Sequence, residues 1–168
     1  IKDGLKSISI EPLKKDLIID FEIVYKNPLI RTRRKEFKLS SADLTSVYNS
    51  RTFCLYEDID QIQKQGLGKG GSLENAIVVK ESKILNDDGL RHRHEFVEHK
   101  ILDCLGDLML SGHRIFGHIK TSQGGHYLTN ILLKEFFSDQ SNWKFESFEE
   151  NHEDTQDNGY ARPVVVNA

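Results

Sequence analysis

His99 and Asp103 lie four residues apart in the run Glu95-Phe-Val-Glu-His-Lys-Ile-Leu-Asp-Cys-Leu-Gly-Asp107. On a helix this spacing projects an imidazole and a carboxylate from one face, within reach of a single metal ion. Such a pair suits zinc, which takes nitrogen and oxygen ligands tetrahedrally and, in catalytic sites, combines three protein ligands with a water. Two ligands make a half-site, so the third has to come from elsewhere. The spacing is equally compatible with a plain amphipathic helix. At 100° per residue, Val97, Ile101, Cys104, Leu105 and Leu108 form one apolar stripe, and His99, Asp103 and Asp107 fall opposite it. A core helix with a wet back is the alternative. Asp107, one turn further on, is placed to orient a histidine, as outer carboxylates do for ligating imidazoles.

These residues need a scaffold, and 168 residues, 38% hydrophobic and 29% charged, suffice for one domain with a core. No apolar run is long enough to span a bilayer, and no basic-then-apolar leader suggests export. A cytoplasmic location is therefore expected, with peripheral attachment to an inner membrane left open. Cys54 and Cys104 are too few for a disulfide framework and are expected to be free thiols. The net charge of −3 hides an asymmetry, because Glu146, Glu149, Glu150, Glu153, Asp154 and Asp157 face only Arg162 at the C-terminal end. The remainder is slightly basic, which suits a phosphorylated substrate but falls far short of a nucleic-acid footprint. The first residue is Ile1 and the only methionine is Met109, so the sequence is expected to be a processed product or the C-terminal part of a longer protein.

Ser7 to Ile10 alternates, and Leu17 to Tyr25 is rich in β-branched and aromatic residues, so both read as strands. Asn27-Pro28 marks a turn, Thr32 to Leu39 a return strand, and Ser40-Ser41 with Asp43 the start of a short helix. From Arg51 the pattern predicts a small βαβ excursion. It comprises Arg-Thr-Phe, a short helix over 57–65 closed by Gly66, the glycine-rich Gly66-Leu-Gly-Lys-Gly-Gly-Ser72, and a strand over 76–80. Ile84-Leu85 and the turn Asn86-Asp-Asp-Gly89 lead to the helix from Glu95 to about Leu110. Arg114 to Thr121 reads as a strand, and His126 to Phe137 as a second main helix with His126 in its first turn, where exposed amides favour anions. Trp143 to Phe148 is a candidate last strand, followed by a polar tail over 149–168. The expected architecture is α+β, a two-layer sandwich of a largely antiparallel sheet with two main helices.

Four segments in this order resemble one family. They are Arg51-Thr-Phe; Gly66-Leu-Gly-Lys-Gly-Gly-Ser-Leu-Glu-Asn-Ala-Ile-Val78; Leu85-Asn-Asp-Asp-Gly-Leu-Arg91 running into the Glu95 to Asp107 stretch; and Gly125-His126 with Asn130. Together they resemble the second domain of the UDP-3-O-acyl-N-acetylglucosamine deacetylases of lipid A biosynthesis, with the similarity running from Ile1 to about Phe148. The resemblance implies a fold of the ribosomal protein S5 domain 2-like kind over residues 1–148, with the βαβ insert at about 52–80. It also implies a zinc amidase, with iron(II) able to compete, that removes acetate from the glucosamine nitrogen of UDP-3-O-acyl-N-acetylglucosamine. On that resemblance His99 and Asp103 are two of the three zinc ligands. The third histidine and the glutamate base belong to a first domain absent from this sequence, so the chain alone is expected to be inactive, and a monomer is expected.

The resemblance further implies that His126 protonates the departing amine, that Asp107 holds its ring, and that Thr52 helps stabilise the tetrahedral oxyanion. Lys100 would meet the diphosphate, Tyr25 would lie under the uracil, and Phe53 and Asp58 would line the same site. The insert would enclose the acyl chain with Tyr56, Ile59, Gly68, Ser72, Leu73 and Val78 as its wall. Cys54 stands where a glycine is expected, and His92 and His94 match no ligand and read as surface loop residues. His113 and His118 read as structural. Two other functions stay open: a non-catalytic module that binds a nucleotide sugar or acyl chain, and an unrelated hydrolase whose closed metal site would draw on His92, His94 or His118.

Overall fold

The computed structural model describes residues 1–146 and 164–167. Alternation of side chains builds its sheet. Lys2–Asp3 (β1) and Lys6–Glu11 (β2) form a hairpin, with Ile8 directed inward and Ser7 and Ser9 outward. Leu17–Ile23 (β3) buries Leu17, Ile19, Phe21 and Ile23 on one face. Arg33–Lys38 (β4) returns antiparallel to it, with Phe21 opposite Lys35. Leu44–Tyr48 (α1) starts at Asp43, whose carboxylate accepts the Thr45 amide at 2.9 Å, the N-cap arrangement that its sequence announces.

Thr52–Leu55 (β5) runs through a single 3-10 turn at Tyr56–Asp58 into Ile59–Lys64 (α2), and the chain returns as Ala76–Lys80 (β6) and Lys83–Ile84 (β7). β5 and β6 are parallel with Thr52 opposite Ala76, so this insert is a βαβ unit, and β7 adds an antiparallel edge. Gly66 stops the helical turn at φ +75°, a left-handed conformation that costs glycine little. Asn86 clamps the unit to the chain leaving it. Its buried side chain accepts the Val78 amide at 3.0 Å and donates to the carbonyls of Leu73 at 2.6 Å and Ala76 at 2.8 Å.

Glu95–Leu108 (α3), Arg114–Ser122 (β8), His126–Ser138 (α4) and Trp143–Glu146 (β9) follow, and Val164–Asn167 forms β10. β8 is central: it pairs antiparallel with β2 and parallel with both β3 and β10, while β9 pairs antiparallel with β10. The seven-stranded sheet is thus largely antiparallel. Placing 164–167 in this sheet departs from the tail expected there; residues 147–163 and 168 of that tail lie outside the described residues. A run of three valines shows no periodicity of its own, and its partners are set by long-range pairing.

α3 packs on β3 and β4, α4 packs on β2, and the two helices touch each other, which makes the two layers of an α+β sandwich. Ile19, Ile77, Phe96, Val97, Ile101 and Ile119 are fully enclosed in one core shared by sheet, helices and insert. Burial of each such side chain contributes about 1.5–3 kcal/mol. Gly124 permits the entry to α4, because a Cβ there would meet Thr121 Oγ1 at 2.2 Å, and that hydroxyl is committed to the Ser7 carbonyl at 2.9 Å.

Two ion pairs, one of them buried on both sides, tie α3 to its surroundings. Arg51 donates from Nε to Glu95 Oε1 at 2.8 Å, from Nη1 to both oxygens of Asp88 at 3.1 and 2.8 Å, and from Nη2 to the Gly89 carbonyl at 2.7 Å. Glu95, fully buried, also accepts the backbone amides of Arg51 at 3.1 Å and Arg91 at 2.7 Å. Burial alone would raise the Glu95 pKa, but the guanidinium and these amides together hold it below the ordinary glutamate value. The second pair joins Lys35 on β4 to Glu98 on α3.

Removing one partner of the Arg51–Glu95 pair leaves a buried charge uncompensated. Arg51→Met or Glu95→Leu alone is expected to lower stability by about 3–5 kcal/mol, and the double substitution to recover much of that loss. Urea unfolding of the single and double variants reads both, and additive losses would contradict the coupling. The depressed Glu95 pKa also sets a pH dependence. Its contribution is fully present above about pH 4.5, the unfolded value, and is lost as pH falls through the lower folded value. Stability measured across that acid range should therefore fall less steeply in Glu95→Gln than in the parent chain.

Candidate active site

His99 and Asp103 occupy successive turns of α3 on the side facing α4 and the start of β5. His99 Nδ1 lies 3.1 Å from the Ser50 carbonyl. A carbonyl only accepts, so Nδ1 carries the proton and Nε2 presents a lone pair. That Nε2 is 3.3 Å from Asp103 Oδ1, itself an acceptor. Burial, the dominant influence, lowers the His99 pKa despite the opposing pull of Asp103. Two acceptors therefore face one another with no proton between them, and a cation fits this arrangement. A backbone carbonyl fixing the far nitrogen of a histidine is the usual support for a ligating imidazole. The two side chains meet the donor chemistry of a zinc site as two of its ligands. Among the described residues no three His, Cys, Asp or Glu side chains are grouped to hold a metal, so His92, His94 and His118 supply no third ligand here.

The face opposite the apolar stripe is not the wet back considered above. The side chains of His99, Asp103 and Asp107 retain only 14%, 16% and 15% of their exposure. Lys100 Nζ reaches Asp103 Oδ2 at 3.2 Å and sits 6.0 Å from the centre of the Phe53 ring. Across from α3, the first residue of α4 is His126, whose Nδ1 donates to Asp107 Oδ1 and Oδ2 at 2.8 and 2.9 Å. The same ring turns its Nε2 to within 4.0 Å of Asp103 Oδ1, and its side chain stays 70% exposed. One carboxylate thus orients His126, and the next carboxylate back along α3 lies between His126 and His99.

Tyr25, Phe53 and Phe96 form a chain of edge contacts, with ring centres 5.5 and 5.0 Å apart. Burial followed by the nearby Asp58 raises the Tyr25 pKa, and the same two causes raise that of the half-buried Cys54. Tyr25, Phe53, Asp58 and Lys100 are therefore brought into one neighbourhood beside the His99 cluster. Thr52 is exposed at the head of β5, two residues from the carbonyl that anchors His99. In the insert, Val78 is buried and Ile59 half-buried, while Tyr56, Gly68, Ser72 and Leu73 are exposed, with Lys80 lying 4.4 Å from the Tyr56 ring centre. Both cysteines are free, and burial pushes the Cys104 thiol up to about 12.

Several residues near the site carried no sequence signal. Ser50 contributes a carbonyl, which any residue could. Glu98 and Lys35 are charged side chains at inward positions, which periodicity reads as exposed. His92 departs from the surface loop residue expected, being half-buried with Nε2 3.0 Å from Ser50 Oγ. His94 sits at the N-terminus of α3, the His113 ring meets Phe145 edge-on at 5.2 Å, and His118 lies on β8.

Comparison with known proteins places the chain in a family. Residues 1–138 match the family described as UDP-3-O-acyl N-acetylglycosamine deacetylase. A protein of Histophilus somni named UDP-3-O-acyl-N-acetylglucosamine deacetylase is 40% identical over 99% of this chain and 54% of its own length. One of the same name from Haemophilus ducreyi is 36% identical over 93% of the chain and 52% of its length. A third, from Xanthomonas oryzae, is 40% identical over 99% and 55%. The chain spans about half the length of the curated relatives it matches. The chain belongs to the UDP-3-O-acyl N-acetylglycosamine deacetylase family.

Proposed function

We propose that this chain is the second domain of a zinc-dependent deacetylase that releases acetate from UDP-3-O-acyl-N-acetylglucosamine in lipid A biosynthesis. The observation that carries the reading is the convergence of His99, Asp103 and His126 around one point, with each imidazole fixed at its far nitrogen by an acceptor. A third ligand and the general base would come from a first domain outside this sequence. Zinc is the favoured metal on the nitrogen and oxygen donors present, and iron(II) is accepted by the same set.

Bound zinc supplies Lewis acidity, polarising the amide carbonyl and making water nucleophilic near neutral pH. Apart from the base assigned to the first domain, the other roles fall to this chain's own residues. His99 and Asp103 would hold the metal, and Lys100 offsets the charge on the other Asp103 oxygen. His126, with Nδ1 bound to Asp107, presents Nε2 to the reaction centre and delivers a proton to the departing amine, which cannot leave as an amide anion. The Thr52 hydroxyl donates to the developing oxyanion. Tyr25, Phe53, Asp58 and Lys100 receive the nucleotide portion, with the Lys100 ammonium available to the diphosphate. Tyr56, Ile59, Gly68, Ser72, Leu73 and Val78 of the insert take the acyl chain. No helix among the described residues is long and apolar enough to cross a membrane, and the proposed location is the cytoplasm.

Zinc content and acetate release from this substrate test the reading, using the 168-residue chain and a form extended at its N-terminus to the length of its relatives. The extended form is expected to hold stoichiometric zinc and release acetate, and His99→Ala to lose both. An extended form that binds the substrate yet releases no acetate at any zinc level would instead identify a binding module. In the same assay His126→Ala should retain zinc while kcat falls by about 10²–10⁴-fold. Loss of zinc in that variant would move His126 from proton donor to ligand.

A further inference from the structure

We infer that His92 is a positioning residue that sets the ring state of His99 through Ser50, an arrangement whose catalytic meaning rests on the function proposed above. The argument starts from Ser50, which is buried. Its hydroxyl donates to the Ser46 carbonyl at 2.8 Å, which commits its only proton. Toward His92 Nε2, 3.0 Å away, the hydroxyl can then only accept, so His92 carries its proton on Nε2. The same nitrogen lies 3.7 Å from Oε2 of the buried Glu98, a carboxylate that the Ser46 side chain also helps hold in its charged form. Lys35, reaching in from β4, occupies Glu98 Oε1. The imidazole is thus held between an acceptor hydroxyl and a buried carboxylate oxygen.

The consequence appears at the other end of Ser50. With its hydroxyl fixed by Ser46 and His92, the residue is held so that its carbonyl points at His99 Nδ1, 3.1 Å away. That carbonyl makes Nδ1–H the favoured tautomer and leaves the Nε2 lone pair beside Asp103 Oδ1. His92 touches neither Asp103 nor His126 and acts at one remove. A merely structural role would have His92 packing the loop that enters α3, with no effect on which His99 nitrogen bears the proton. The two accounts differ in the tautomer of His99, which can be observed without catalysis.

Long-range proton–nitrogen correlation spectra of the histidine-labelled, metal-free 168-residue chain, recorded on the alkaline side of neutrality, report both rings. Nδ1–H is expected for His99 and Nε2–H for His92. His92→Phe and Ser50→Ala should each shift His99 toward a mixture of tautomers, and His92→Gln, which keeps an N–H donor, should retain the Nδ1–H form. In the extended protein, Zn2+ affinity measured by competition with a chromophoric chelator should weaken about 10-fold in His92→Phe and be largely restored in His92→Gln. If His92→Phe does not fold, Ser50→Ala and His92→Gln carry the test. A parent chain with Nε2–H on His99, or substitutions that leave its tautomer unchanged, would overturn the inference. Zinc binding indifferent to His99→Ala would sink the metal reading instead, while the tautomer shift would still decide the role of His92.

Discussion

The buried pair of Arg51 and Glu95 fixes the relation between the two parts of the molecule that meet at the site. Arg51 stands directly before Thr52 and β5, and Glu95 is the first residue of α3, one turn before His99. Their hydrogen bonds, with those to Asp88, Gly89 and the amide of Arg91, draw the insert, the 86–91 turn and the helix start onto one guanidinium and one carboxylate. Burying two charges is expensive, and the pair is tolerable because its polar atoms are so fully engaged. Hydrophobic contacts of equal area could hold the same elements together. They could not fix where along α3 the strand β5 must begin, because they are far less directional than a forked guanidinium.

That constraint places Ser50 as well, since it precedes Arg51 in the chain. Its carbonyl meets His99 where the Arg51–Glu95 pair brings the β5 entry beside α3 and the Ser46 and His92 contacts of the Ser50 hydroxyl hold that residue in place. A backbone acceptor is a stiff support for an imidazole, since it moves only if the Ser50 backbone moves. The His126 support is of another kind, a carboxylate on a neighbouring helix, and its distances of 2.8 and 2.9 Å depend on the packing of α4 against α3. Gly124 enters here: a side chain at that position would push the start of α4 off Thr121 and carry His126 with it.

Much of this was legible in the sequence because it is written in periodicity. The alternation of Leu17, Ile19, Phe21 and Ile23, the stripe of Val97, Ile101, Cys104 and Leu108, and the Gly66 stop each follow from local rules, and the structure has those elements at those places. That His99 and Asp103 share one side of α3 was legible for the same reason, and the contact of His126 with Asp107 is the one that the family resemblance implied. Glu95, Glu98 and Lys35 were not. Periodicity assigns charged residues to solvent, and their burial depends on partners on other elements: Arg51 before β5, and Lys35 for Glu98. His92 was misplaced on the surface by the same logic. β10 was missed because a short apolar run becomes a strand only when a distant edge offers pairing, here Arg114 to Phe116 of β8.

On the function proposed above, the electrostatic arrangement has the character of a site for a cation. With the His99 ring neutral and its proton on Nδ1, its Nε2 and the Asp103 carboxylate oxygen at 3.3 Å face each other as two acceptors. Rotating Asp103 further toward Lys100 would separate them, yet the Lys100 ammonium engages the other oxygen at 3.2 Å, leaving Oδ1 turned to His99. The carbonyl of Ser50 in turn keeps the His99 proton on the far side of the ring, where it cannot bridge the two. Each support therefore keeps the two acceptors face to face, where both would be available to hold a cation. Lys100 limits the net charge offered to that cation, since it neutralises part of Asp103. On the proposed reading, this partial neutralisation keeps the metal electrophilic enough to polarise a carbonyl, and the same ammonium remains at hand for an anionic substrate.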